Sequence, residues 1–186
     1  MSFVSSPTSF SSRAPRAGLW SAGLVVLVMG GCLVFACLEP LVAVAVIAAG
    51  ALPPARAALL VVAVWLAGQA VGFGLHDYPH DPRTIAWGFG LGAAALASLA
   101  GVVPVLRATA GKPVWLRAGL AFVAGFVANQ LVILGVEQAV TGACEVRPGV
   151  ISLVGAINAG WLAGLLALDA VLRRTSLPLP AFGRPA

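Results

Sequence analysis

Stretches of about 20 apolar residues, separated by short polar breaks, constrain this chain more than any other feature it has. A hydrocarbon core of roughly 30 Å is crossed by one helix of that length, because a helix satisfies its own backbone hydrogen bonds. The breaks are Glu39-Pro40, Pro53-Pro54, His76 to Arg83, Gly111-Lys112-Pro113 and Arg147-Pro148-Gly149. They delimit helices over residues 18–38, 41–52, 57–75, 85–106, 117–138 and 150–172. The expected fold is all-α, a polytopic integral membrane bundle of six transmembrane helices. Only 9% of the residues are charged, against roughly 25% in a soluble domain, so residues 18–174 form one membrane domain with no water-facing partner. Residues 1–17, rich in Ser and Pro and without periodicity, read as a disordered cytoplasmic tail. Residues 175–186, with Pro178, Pro180 and Pro185, read as a cytoplasmic C-terminal tail.

The second apolar segment is short. Its twelve residues, 41–52, span about 18 Å as a helix, which leaves a short span or a re-entrant segment open. Basic residues favour the span. With six crossings, Arg13, Arg16, Arg56, Arg107, Lys112, Arg117, Arg173, Arg174 and Arg184 share one side, and only Arg83 and Arg147 lie opposite. A re-entrant second segment alone would move Arg13 and Arg16 across and weaken that bias. The positive-inside rule then puts both termini in the cytoplasm of a bacterial inner membrane. No cleavage motif follows the first apolar run, so it reads as a span and not as a leader peptide. Cys32, Cys37 and Cys144 form no CxxC pattern, and the two in the apolar run read as small buried hydrophobes.

Polar side chains inside a bilayer need a partner, a cavity or an interface. In this topology Gln69, Asn129, Gln130, Glu137 and Asn158 fall from the middle to the outer end of the third, fifth and sixth helices. Gln69 and His76 are seven residues apart, as are Gln130 and Glu137, so each pair shares a helix face. Trp65 lies one turn before Gln69, and Trp161 three residues after Asn158. These faces predict an outward-opening pocket with amide anchors, a carboxylate and aromatic walls, the other reading being amides that only bond neighbouring helices. Asp169 belongs to the opposite end, at i−4 from Arg173, as a structural ion pair. Gly88/Gly92, Ala124/Ala128 and Gly160/Gly164 are small-residue pairs suited to close helix packing.

The outer stretch His76-Asp77-Tyr78-Pro79-His80-Asp81-Pro82-Arg83 holds both histidines of the chain and two of its six carboxylates. Imidazole with carboxylate suits a transition metal, with His76 and His80 as ligands. A hydrated interfacial loop with Tyr78 at headgroup level is the other reading. Catalytic patterns are missing: no phosphate loop with a Lys, no nucleophile elbow, no HExxH. The chain is therefore expected not to be an enzyme, and any pump built on it needs an energising partner. No basic run points to nucleic acid.

A chain of this size, with six helices, cytoplasmic ends and an outer polar pocket, resembles the substrate-binding (S) components of energy-coupling-factor vitamin transporters over residues 18–174. The resemblance implies vitamin uptake, with an ATPase and a coupling subunit as partners. Gly18 and Ala22 would be the small residues that meet the coupling subunit. The cobalamin type of that family carries a cobalt-ligating side chain near the outer face, a role that His76 or His80 would take here. Ligand contacts are then expected from His76, His80, Tyr78, Gln69, Asn129, Gln130, Glu137, Asn158 and Trp161. A small assembly or accessory subunit of a larger membrane complex is the alternative.

Overall fold

A computed structural model describes residues 14–35, 40–142, 147–172, 174 and 182–183. They form six helices: α1 Ala14–Phe35, α2 Leu41–Ala51, α3 Pro54–Leu75, α4 Pro82–Ala108, α5 Val114–Thr141 and α6 Pro148–Leu172. The starts follow the prolines. Pro54 and Pro82 begin their helices, where the missing N–H costs nothing, and Asp81 caps α4 through the N–H groups of Arg83 and Thr84. Gly142 ends α5 in the left-handed region at φ 73°, donating to Gln138. α1 starts at Ala14, inside the segment read as a tail. The remaining tail residues, the surroundings of Gly18, the side chain of Cys32, and Cys37, Cys144 and Arg173 lie outside the described residues.

α3, α4, α5 and α6 are each long and apolar enough to cross a membrane. α2 is different. Every one of its residues is buried except the half-buried Ala49, and it packs on α3, α4, α5 and α6. A helix that is apolar all round has no face for water or headgroups and belongs in the centre of a bundle. At eleven residues it is about 16 Å long, roughly half the height of its neighbours.

Both ends of α2 are held by distant parts of the chain. The side-chain oxygen of Asn158 accepts from the backbone N–H of Val42 (3.1 Å) and of Ala43 (3.3 Å). At the other end Gly183 donates to the Gly50 carbonyl at 2.8 Å. The Phe182 ring sits where a side chain on Gly50 would otherwise be, and the ring is almost fully buried. Phe182 also donates its N–H to Asp169 at 3.3 Å, and the Arg117 guanidinium lies 5.8 Å from the ring centroid. Part of the C-terminal segment is thus core, not free tail, and Asp169 holds a backbone N–H there. Orphan N–H and C=O groups inside hydrocarbon are expensive, and these contacts satisfy two of the N–H groups and one of the carbonyls at the ends of α2.

The described part of α1 also stops short of the full height of the bundle. Gly31 of α1 faces the ring of Trp161, and Trp161 lies thirteen residues, about 20 Å, along α6 from Pro148. The last turn of α1 and the first of α2 therefore lie near mid-height of the bundle. α4 and α5 make the closest pair of long helices. There a Cβ on Gly101 would come within 2.9 Å of the Ala124 carbonyl and 3.2 Å of the Ala128 side chain, so Ala124 and Ala128 do serve backbone approach. Gly88 and Gly92 work otherwise: they make room for the amide of Gln69 and the ring of Trp65.

Candidate functional site

Because α2 ends at mid-height, the space above its N-terminus is not filled by a helix. It is a cavity of about 490 Å³ lined by the upper halves of α3, α4, α5 and α6, with Leu41 and Val42 as its floor. That volume lies in the range of small-molecule sites. Its mouth is at the end carrying the His76–Asp81 loop.

Seven of the nine residues singled out from the sequence line it: Gln69, His76, Tyr78, Asn129, Gln130, Glu137 and Asn158. The two others do not. Trp161 lies one turn deeper than Asn158, at a level where α2 fills the centre, and its ring turns to α1 instead. His80 is exposed and lies with its ring 5.3 Å from that of Phe73, off the lining. Trp65 is also below the floor, donating its indole N–H to the Gly88 carbonyl at 2.9 Å.

The amides are not equivalent. Asn158 is spent: its oxygen caps α2, and its NH₂ donates to the Val154 carbonyl at 3.0 Å. Asn129 donates to the Ser98 hydroxyl at 3.2 Å, and that hydroxyl donates to the Ala94 carbonyl. The Asn129 carbonyl oxygen has no partner among the described residues. Gln69 and Gln130 make no hydrogen bond there either, although both face the cavity. Two glutamines and one asparagine oxygen are therefore available to a ligand.

The mouth is shaped by the loop. Asp77 has φ 49°, a left-handed position that Asp tolerates better than most residues. The turn sends Tyr78 back over α3, with its N–H on the Gly72 carbonyl at 3.2 Å and its ring against Gly72, where a Cβ would come within 2.7 Å. His76 stacks on Tyr78 at 6.2 Å between centroids. Thr84 of α4 and Arg147 before α6 complete the rim, and Trp87 lines the cavity one turn below Thr84. Asp81 lies outside the cavity; the Thr84 hydroxyl, then the Thr84 N–H, hold its carboxyl below the ordinary value of 3.8.

Sequence reasoning missed Arg147, counted only as a topological charge, and missed α2 as the floor. The signal for the floor was present in the length of segment 41–52. Among the described residues, no three His, Cys, Asp or Glu side chains gather to hold a metal ion. Compared with protein-family models, with curated proteins and with solved structures, the chain matches none.

Proposed function

We propose that this chain is an integral membrane component that binds a small molecule for uptake, in a bacterial inner membrane with both termini cytoplasmic. The carrying observation is the cavity above the half-length α2, with Gln69, Gln130 and the Asn129 oxygen facing it and bonded to none of the described residues. Amides kept in a bilayer without protein partners are costly unless something else bonds them. The basic residues favour an outward-facing mouth. With no nucleotide-binding motif in the sequence, uptake requires an ATPase and coupling subunits, as the resemblance to vitamin-transport S components implies.

The volume of about 490 Å³ suits a compact vitamin-sized ligand; a corrinoid would have to sit largely outside it. Of the two histidines, only His76 is at the mouth, so a cobalt or metal contact in this reading falls to His76.

Mass spectrometry of small molecules retained through purification in mild detergent tests the proposal. A compound held by the parent protein and lost from the Gln69→Leu/Gln130→Leu variant supports it. Identical retention, or none in either protein, overturns it. A second reading, an accessory subunit of a larger membrane complex, draws on the outer face of α6. There Gly160 and Gly164 are exposed with open space in front of them, a surface that fits a partner helix.

A further inference from the structure

The walls of the cavity differ in chemistry. On α6 the wall is Val150, Ile151, Val154 and Ile157, apolar over about 11 Å of helix, down to Asn158, whose amide is engaged with α2 and Val154. The available amides stand on α3 and α5. No ionisable side chain lines the cavity below its rim among the described residues; His76, Tyr78, Glu137 and Arg147 all belong to the mouth.

The walls also differ in continuity. α3 packs on α4, α4 on α5, and α5 touches α6, but α3 and α6 do not meet among the described residues. At the Phe182 end α1 packs on α3 and is parted from α6 by a groove between Leu24, Leu27, Leu165 and Leu168, which Gly31 against Trp161 closes at mid-height. The described part of α1 reaches only to near mid-height, and none of the described residues of α1 lines the cavity. Among the described residues, no helix therefore stands between α3 and α6 at the level of the apolar α6 wall.

We propose that the cavity opens sideways between α3 and α6 and takes an amphiphile dissolved in the bilayer. Its head is neutral and bears a carbonyl or hydroxyl, and its apolar body lies along Val150, Val154 and Ile157. A charged head would meet no counter-charge below the rim and would stay at the interface. A carbonyl accepts from the NH₂ of Gln69 or Gln130, and a hydroxyl donates to the Asn129 oxygen. Each such bond replaces an unmet one in a medium without water. The inference rests on the cavity being the ligand site and adds the route and the ligand class.

Tryptophan quenching tests both. Trp87 lines the cavity, so the difference in emission between parent and Trp87→Phe reports on it alone. In vesicles of phosphatidylcholine with brominated acyl chains, most of the Trp87 emission should be lost, with little loss to acrylamide in the water. Val154→Phe, which narrows the cavity, should restore the emission. Quenching by acrylamide and not by brominated chains overturns the side opening and leaves a water-soluble ligand for the same site. Bromine quenching unchanged by Val154→Phe also overturns it, since contact would then come from lipid outside the bundle. For the head group, a decyl-substituted benzoquinone should saturate the Trp87 signal. Gln69→Leu/Gln130→Leu should weaken that binding roughly tenfold or more, as loss of buried hydrogen bonds does. Equal binding by the variant overturns the proposed head-group chemistry without touching retention of another compound in detergent.

Discussion

The side-chain oxygen of Asn158 lies 3.1 Å from the backbone nitrogen of Val42, and so a residue of the last helix caps the second. The bond crosses 116 positions of sequence and fixes the floor of the cavity. The same oxygen takes the N–H of Ala43, which leaves the asparagine no acceptor for a ligand.

Asn158→Ala should lower stability by about 2 kcal/mol, since it strands two buried donors. Thermal denaturation in detergent measures the loss. Amide exchange should rise at Val42 and Ala43 first, and unchanged exchange at both would remove the capping role.

Phe182→Ala should destabilise by about 3 kcal/mol, as truncation of a buried aromatic does, although only four residues follow it in the sequence. Limited proteolysis should then cut the C-terminal segment faster than in the parent. Gly50→Leu, which competes for the same space, should give the same pattern.

Gln69→Leu and Gln130→Leu should leave the melting temperature unchanged or raise it, because neither amide has a partner among the described residues to lose. Retention of the ligand should fall. A loss of stability comparable to that of Asn158→Ala would make these amides structural.

Asp81 is a pH-sensitive cap outside the spans. Its folded carboxyl titrates below 3.8, so its capping contribution is present above that value and is lost as pH falls through the lower folded pKa. Below pH 3.8 the amides of Arg83 and Thr84 should exchange faster. In Asp81→Ala they should exchange fast at neutral pH already, with no further acid step.

Reporter fusions after residues 80 and 145 should mark the outer side, and fusions after 55, 112 and 180 the cytoplasm. An outward reporter at 112 would invert the orientation of the mouth.

The six helices were legible in the sequence to within a few residues, because prolines, glycines and charges interrupt the apolar runs where a helix must stop. Helical phase also gathered Gln69, Gln130, Glu137 and His76 at one end, since seven residues return a side chain to nearly the same face. Periodicity says which side of a helix is polar. It does not say where a neighbouring helix ends, and on that point the tertiary structure alone decided. Trp161 is in phase with Asn158 but one turn deeper, where the body of α2 already occupies the centre. The count of basic residues could not reveal this either. α1 and α2 leave Arg13 and Arg56 on the same side whether they cross the bilayer or turn at mid-height, so charge is silent about depth. The shortness of residues 41–52 left a half-length helix open, but the basic residues were read in favour of a span. Only the packing of the other helices around it left the space above its N-terminus open.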